Sequence, residues 1–163
     1  DESHQIISYL SELKNIEQDI REISHDMSRE KSELINNFVT IVDNLLEDQK
    51  KTYSTNLVSF IDSTIKWDLI GNTCKINLYR VIQESLQNCN KYAKANTIKI
   101  ELKNGIDHLV MNISDDGVGF NTTKAKRGIG LKNMLSRIME CNGTFEIHSE
   151  KDKGTSIKVE IPI

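Results

Sequence analysis

Apolar residues in the first thirty positions of the chain recur at steps of three and four, with charged residues between them. They are Ile6, Leu10, Leu13, Ile16, Ile20, Ile23 and Met27. So narrow an apolar stripe is typical of a helix in a bundle or coiled coil, because a lone helix would expose the stripe to water. We therefore predict a long amphipathic helix whose partner helix comes from elsewhere in the protein or from a second subunit. A surface helix that folds back on its own domain is the alternative.

The apolar pattern widens after Glu33 and then alternates between helical and strand periods. It predicts, in chain order, a helix from Leu34 to about Lys50, a strand from Leu57 to Ile61 and a helix from Asn72 or Thr73 to about Ala95. A hairpin around residues 98–102 and 109–113, a helix from Gly130 to about Cys141 and a hairpin of residues 144–148 and 156–161 complete the series. We expect an α+β two-layer sandwich over residues 33–163, with helices on a mixed, mainly antiparallel sheet. Residues 1–32 form a separate helical part.

Charge and cysteine content narrow the class of protein. The 163 residues carry 21 Lys and Arg against 24 Asp and Glu, so no basic field attracts nucleic acid, and anionic ligands must be held by local geometry. The three cysteines, Cys74, Cys89 and Cys141, form no CxxC pair, which favours buried thiols in a reducing cytosol. No apolar run approaches the roughly 20 residues of a membrane span. We expect this chain to be cytoplasmic without direct membrane contact, and leave open whether the intact protein is membrane-anchored.

Three polar side chains share one ridge of the predicted helix between Asn72 and Ala95. Glu84, Asn88 and Lys91 fall at positions i, i+4 and i+7, away from the apolar stripe of the helix. A carboxylate, an amide and an ammonium on one ridge fit either a functional site or an ordinary solvated face. This helix alone does not decide between the two.

A second candidate site follows the strand that ends at Asp115. Two glycines, Gly117 and Gly119, come next at alternate positions and allow close backbone approach to a ligand. A carboxylate at the end of a strand can accept a hydrogen bond from an exocyclic amino group such as that of adenine. A glycine-rich turn with local capping by an aspartate is the alternative.

A third candidate site is the glycine pair Gly128 and Gly130, which opens a predicted helix. Free N–H groups and the helix dipole make such an N-terminus suitable for phosphates. The segment lacks the GxxxxGK[ST] pattern of a P-loop, and it does not join a first strand to a helix as a dinucleotide-binding fold requires. Both of those nucleotide-binding classes are disfavoured.

Taken in this order, the three segments resemble the N box and the two glycine boxes of one ATPase superfamily. It contains histidine kinases, gyrase-type topoisomerases, mismatch-repair ATPases and the ninety-kilodalton heat-shock chaperones. The resemblance covers Leu34 to Ile163, and the pair Gly154 and Thr155 before the last strand agrees with it. It implies the Bergerat-type ATPase fold, with ATP and Mg²⁺ as cofactors.

The resemblance also implies which residues contact the nucleotide. They are Asn88, Lys91, Tyr92, Asp115, Gly117, Gly119, Gly128, Ile129, Gly130, Leu131 and Thr155. Asn88 would bind magnesium, Asp115 would read the adenine amino group with support from the Thr155 hydroxyl, and Gly128 with Gly130 would wrap the phosphates. Lys91 would approach a phosphate, and Tyr92 would lie at the rim where many relatives carry histidine. Glu84 would be the catalytic residue that polarises the reacting group or its water.

The sequence of residues 79–88 resembles the corresponding segment of sensor histidine kinases that pair with helix-turn-helix response regulators. The short segment from Asn121 to Arg127 between the glycine boxes agrees, because topoisomerases and chaperones carry long lids there. This resemblance implies transfer of the ATP γ-phosphate to a histidine on a dimerisation bundle. It further implies relay to the receiver domain of a response regulator, and a homodimer formed through the N-terminal helix. Residues 1–32 would then be the end of the bundle, and residues 33–163 the catalytic ATP-binding domain.

His25, followed by Asp26, looks like a phosphate-accepting histidine, but its position argues against that role. Only one predicted helix separates His25 from the strand at Leu57, whereas an acceptor helix should be followed by a second bundle helix first. We expect the acceptor upstream of Asp1, so the chain should not phosphorylate itself. Two other functions remain open for the chain as a whole. They are those of an anti-sigma-type serine kinase and of a nucleotide-binding regulatory module without transfer activity.

Overall fold

The computed structural model describes residues 24–25, 27–122 and 128–163. The chain divides into two compact units, Asp1–Asn37 and Phe38–Ile163. In the first unit, residues 27–36 are helical, and an exposed ion pair joins Arg29 Nε to Glu33 Oε1 at 3.2 Å. The predicted stripe from Ile6 to Ile23 lies outside the described residues. The long bundle helix and the domain boundary at residue 33 therefore stay predictions.

In its described residues, 38–122 and 128–163, the second unit contains three α-helices and five strands. The helices are α1 (Phe38–Thr52), α2 (Asn72–Asn88) and α3 (Ile129–Met139). The strands are β1 (Asn56–Ile61), β2 (Thr97–Asn104), β3 (His108–Asp115), β4 (Thr144–Glu150) and β5 (Gly154–Pro162). The sheet has the order β1-β2-β3-β5-β4, with β1 parallel to β2 and the other pairs antiparallel. The predicted α+β fold with a mixed, mainly antiparallel sheet is confirmed.

The buried face of the sheet follows the predicted alternation. Its innermost side chains are Ile98, Ile100 and Leu102 of β2, Leu109, Met111 and Ile113 of β3, and Ile157, Val159 and Ile161 of β5. The helices contribute buried apolar residues such as Leu78 and Ile82 of α2 and Ile138 of α3. Because strand side chains alternate between faces, the same period leaves charged residues such as Lys99 and Lys158 exposed on the other face.

Two predicted helices differ from the structure in their bounds. The helix predicted from Leu34 is interrupted by a turn at Asn37, and α1 begins at Phe38. The helix predicted to reach Ala95 is α-helical only to Asn88 and continues as a π-helical turn, Cys89–Ala93. Lys94 ends this turn in the left-handed conformation, with φ of 50°. Tertiary contacts rather than local propensity set this end, and π-helical turns often occur at functional sites.

A pair of reciprocal hydrogen bonds holds the π-helical turn against α1. Gln49 Nε2 donates to Asn90 Oδ1 at 2.8 Å, and Asn90 Nδ2 donates back to Gln49 Oε1 at 2.9 Å. Gln49 is buried, so both of its polar groups need partners, and Asn90 supplies them. This pair fixes the π-helical turn, on which Lys91 and Tyr92 lie.

Buried Asn77 fastens α2 to the C-terminal end of α3. Its Nδ2 donates to the carbonyl oxygen of Arg137 and to Glu140 Oε2, each at 2.9 Å. These bonds fix the position of α3 along α2, and therefore the place where the N-terminus of α3 lies. Within the described ranges, every helix is too short or too polar to span a bilayer.

Candidate nucleotide site

A cavity of about 480 Å³ opens between α2, α3 and one end of the sheet. This volume is in the range of small-molecule sites. Most of the predicted site residues line it: Glu84, Asn88, Tyr92, Asp115, Gly119, Gly128, Ile129, Gly130, Leu131 and Thr155. Lys91 and Gly117 do not, since Lys91 is exposed on the π-helical turn and Gly117 is buried beside it. The three segments identified in the sequence therefore meet at one place.

Two rows of side chains across β3, β5 and β4 form the sheet side of the cavity. Asp115, Thr155 and Ser149 are direct cross-strand neighbours, and so are Ile113, Ile157 and Ile147. Because the rows are two residues apart along each strand, they point to the same face. The isoleucines supply an apolar surface, and the first row places polar groups at its edge. A flat heterocycle with a polar edge suits such an arrangement.

The carboxylate of Asp115 is held by two donors. The Gly117 N–H donates to Oδ1 at 2.9 Å, and the Cys89 thiol donates to Oδ2 at 3.6 Å. Burial, together with the adjacent Asp115 carboxylate, raises the pKa of the Cys89 thiol to about 12. The thiol therefore stays protonated and remains a donor. In the sequence Cys89 is one of three cysteines expected to be buried thiols, and no local signal distinguishes it from a core residue.

The neighbouring carboxylate, Asp116, faces the backbone instead of the cavity. Its Oδ1 accepts hydrogen bonds from the N–H groups of Asn96 and Thr97 at 2.8 and 2.9 Å. These backbone bonds, above all that from Thr97, hold the pKa of Asp116 below its usual value. Asp116 fastens the glycine loop to the start of β2 and leaves Asp115 to face the cavity.

The glycines of this loop are required by the protein's own backbone. A Cβ at Gly117 would overlap the carbonyl oxygen of Ala93. The same oxygen accepts a 2.7 Å hydrogen bond from the N–H of Val118. Gly119 has φ of 57°, and a Cβ there would overlap the carbonyl oxygen of Glu150. The loop can therefore lie between the π-helical turn and the turn from β4 to β5 only because both residues lack side chains.

The other end of the cavity joins α2 to the N-terminus of α3. A Cβ at Gly130 would overlap Oε1 of Glu84, so this glycine makes room for the carboxylate. Gly128 is the N-cap of α3 and makes no side-chain capping bond. The N-cap residue therefore leaves the first N–H groups of the helix uncapped, and N–H groups at such a helix start can bind an anion.

Asn88 presents a free carboxamide to this end of the cavity. It is partly buried and lines the cavity, and its side chain makes no hydrogen bond with any of the residues that the structure describes. Across the same described ranges, no group of three or more His, Cys, Asp or Glu side chains could hold a metal ion. Mg²⁺ commonly takes few protein ligands and keeps several waters, so the amide oxygen of Asn88 is compatible with such an ion.

Comparisons with known proteins agree with this geometry. The family described as "Histidine kinase-, DNA gyrase B-, and HSP90-like ATPase" matches residues 74–163. Sensor protein VraS of Staphylococcus saprophyticus is 40% identical over 88 residues, covering 53% of this chain and 25% of that protein. Sensor protein VraS of Staphylococcus aureus strain COL is 39% identical over 88 residues, with the same coverage. The chain thus spans about a quarter of the length of these curated relatives.

Solved structures of histidine kinases share the fold. The Acinetobacter baumannii histidine kinase AdeS superposes with a TM-score of 0.61 at 17% identity, covering 92% of this chain and 83% of that one. The histidine kinase domain from the Erythrobacter litoralis EL346 blue-light activated histidine kinase gives a TM-score of 0.63 at 12% identity, covering 78% and 60%. The resemblance to the ATPase domain of sensor histidine kinases is confirmed.

Proposed function

Because the chain belongs to the histidine kinase-, DNA gyrase B- and HSP90-like ATPase family, we propose that it is the catalytic ATP-binding part of a two-component sensor histidine kinase. In the intact protein it positions the γ-phosphate of ATP for attack by a histidine imidazole on a dimerisation bundle. The single observation that carries this proposal is the convergence of Asp115, Asn88 and the N-terminus of α3 on one cavity. The likeness to proteins named as sensors supports the kinase assignment over other members of the family.

The adenine base fits the sheet end of the cavity. Asp115 would accept a hydrogen bond from the exocyclic amino group, and the isoleucine row would contact a face of the ring. Thr155, the direct neighbour of Asp115 on β5, would add a second polar contact. Tyr92 is well exposed, which suits a contact at the rim.

The phosphates fit the opposite end of the cavity. The N–H groups at the start of α3, around Gly128, Ile129, Gly130 and Leu131, would bind them. The amide oxygen of Asn88 suits a magnesium ligand, and the bound ion would neutralise phosphate charge. Lys91 is exposed one turn beyond Asn88, so a phosphate contact requires its flexible side chain to reach toward the cavity.

Catalysis by such a site is mostly positioning and electrostatic stabilisation. Glu84 is the residue we assign to polarise the reacting group, because its carboxylate lies beside Gly130 at the phosphate end. The transfer forms a phosphorus–nitrogen bond to the acceptor imidazole and breaks the bond to the leaving ADP oxygen. We place the acceptor histidine outside this chain, on a bundle that also forms the homodimer. The phosphate then passes to the receiver domain of a response regulator.

The test is ATP binding by paired aspartate variants. Asp115→Asn replaces an oxygen that would accept from the adenine amino group with an NH₂ donor, so ATP affinity should fall at least about tenfold. Asp116→Asn is the matched control, because its Oδ1 can still accept both backbone bonds and its side chain faces away from the cavity. Titration calorimetry with the magnesium complex of ATP measures both. Equal affinities of Asp115→Asn and the parent chain would exclude the proposed adenine contact.

Phosphotransfer needs a separate test with an added acceptor. The chain is mixed with γ-labelled ATP and with a bundle segment from the intact protein that carries its histidine. Acid-labile label on that segment is the expected result. Acid-stable label on a partner serine would instead favour an anti-sigma-type serine kinase. ATP binding without any transfer would favour a regulatory module.

A further inference from the structure

Ser149 stands next to Thr155 in the polar row at the end of the sheet, although it does not line the nucleotide cavity itself. Its Oγ lies 3.0 Å from the carbonyl oxygen of Gly154, 2.9 Å from Thr155 Oγ1 and 2.9 Å from the backbone nitrogen of Phe120. The hydroxyl therefore has three polar partners within hydrogen-bond distance. No motif of the sequence analysis includes Ser149.

Counting protons fixes the direction of each bond. A carbonyl oxygen can only accept, so the single Ser149 proton goes to Gly154. The Phe120 N–H donates to Ser149 Oγ. The bond between the two hydroxyls must then run from Thr155 to Ser149, because Ser149 has no second proton to give. The Thr155 hydroxyl therefore already donates its proton to Ser149. Toward a ligand it can only accept a hydrogen bond.

Asp115, beside Thr155, also faces the cavity only as a hydrogen-bond acceptor. Its carboxylate oxygens already receive hydrogen bonds from the Gly117 N–H and the Cys89 thiol, and an ionised carboxylate has no proton to donate. Two neighbouring cross-strand residues, Asp115 and Thr155, thus face the cavity as acceptors only. Such a pair suits a ligand edge that carries donors, and it repels a ligand edge that carries a carbonyl oxygen.

We infer that Ser149 is a specificity-determining positioning residue, which orients the Thr155 hydroxyl so that the site selects a 6-amino purine over a 6-oxo purine. This inference rests on the proposed ATP-binding function and extends it to a residue outside the cavity. Without Ser149, the Thr155 hydroxyl is free to turn its proton toward the ligand. It could then donate to a carbonyl oxygen, and the discrimination between the two purines would weaken.

The experiment compares ATP with inosine 5′-triphosphate, which carries a carbonyl oxygen where ATP carries the amino group. The ratio of the two dissociation constants is measured by calorimetry for the parent chain and for Ser149→Ala. We expect the preference for ATP to fall about fivefold, the effect of one neutral hydrogen bond. Ser149→Thr keeps the hydroxyl and should restore the preference. Ser156→Ala, an exposed serine one residue from Thr155, is the control and should leave the ratio unchanged.

A double-variant comparison separates positioning from a general structural role. Once Thr155→Val removes the hydroxyl that Ser149 orients, adding Ser149→Ala should change the ratio no further. If Ser149→Ala does not fold, Ser149→Cys provides a weaker donor and acceptor of similar shape and should give a partial loss. An equal loss of affinity for both nucleotides, or an undiminished effect in the Thr155→Val background, would overturn the inference. Failure of the parent chain to bind ATP at all would instead refute the proposed function.

Discussion

The thiol of Cys89 lies 3.6 Å from Oδ2 of Asp115, so the end of α2 and the end of β3 meet across the cavity through one hydrogen bond. Cys89 is 26 positions away from Asp115 along the chain. The contact links the helix that carries Glu84 and Asn88 to the carboxylate that would read the base. A substitution at Asp115 should therefore change the reactivity of the Cys89 thiol, and a substitution at Cys89 should change the hydrogen bonding of the Asp115 carboxylate.

The raised pKa of Cys89 predicts slow alkylation. Its pKa of about 12 arises from burial and from the Asp115 carboxylate, so the reactive thiolate is scarce near pH 8. Iodoacetamide should modify Cys89 about a hundredfold or more slowly than in the unfolded chain. The rate should rise with pH up to about 12, measured by mass spectrometry of the Cys89 peptide under conditions where the chain remains folded.

The same shift links Cys89 to folding stability at high pH. Because the folded-state pKa is raised, the unfolded chain releases this proton first, and stability is lost as pH rises from the usual thiol value toward about 12.

Asp115→Asn removes the charge next to the Cys89 thiol and should speed its alkylation. Modification of the folded chain at the unfolded rate near pH 8 would show that Cys89 is not held as described.

Gly130→Ala should impair nucleotide binding without harming the fold. A Cβ here meets only the end of the Glu84 side chain, which can move, and alanine is better than glycine inside a helix by about 1 kcal/mol. Thermal unfolding should show an unchanged or higher midpoint, while ATP affinity or transfer falls as Glu84 is displaced. Gly71→Ala is the control, because nothing lies within 4 Å of its added Cβ. Full activity of Gly130→Ala would argue against a role for the Glu84 position.

Gly154→Ala should destabilise the fold itself. Gly154 has φ of 82°, and an added Cβ would overlap the carbonyl oxygen of Asp115, which is backbone and cannot swing away. We expect a loss of about 1–3 kcal/mol in the free energy of unfolding, measured with urea. Asp152, a nearby residue, has φ of 62°. Asp152→Gly should be neutral or stabilising, because glycine adopts a positive φ without the steric cost of a side chain. A neutral Gly154→Ala would contradict the described turn.

Asn77→Ala should lower stability by breaking the link between α2 and α3. The change leaves the Arg137 carbonyl oxygen without the Asn77 donor in a partly buried setting. A loss of about 1–3 kcal/mol is expected in chemical denaturation. Asn133→Ala, at an exposed position on α3, is the control and should be neutral. Similar stabilities of the two variants would mean that these hydrogen bonds do not hold the helices together.

The chain should bind ATP without labelling His25. His25 is helical and exposed in the first unit. We propose that it is not the acceptor, because an acceptor helix should be followed by a second bundle helix before the ATPase domain. Incubation with γ-labelled ATP should give no acid-labile label above that of His25→Ala. Strong label that disappears in His25→Ala would make His25 the acceptor.

The sequence by itself determined the class of fold, and most of the residues that it singled out line one cavity. Strand alternation identified the buried residues of β2 and β3, because the period of two is a local property of the backbone. Asp115 and Gly128 could be recognised because each lies at a local transition, the end of a strand and the N-cap of a helix. The lengths of the first two helices predicted in residues 33–163 were less accurate. The π-helical turn that ends the second of them is held by hydrogen bonds to Gln49 of α1, which local sequence does not reveal.

Only the tertiary structure decided which side chains hold these residues in place. Ser149 and Asp115 flank Thr155 because β5 lies between β4 and β3, an order that no local period encodes. Cys89 has the spacing of an ordinary core residue, and only the packing of α2 against the sheet brings its thiol to Asp115. Local periodicity fixes the face on which a side chain lies. Its partner across the cavity depends on the sheet order and on helix packing, which bring together residues distant along the chain.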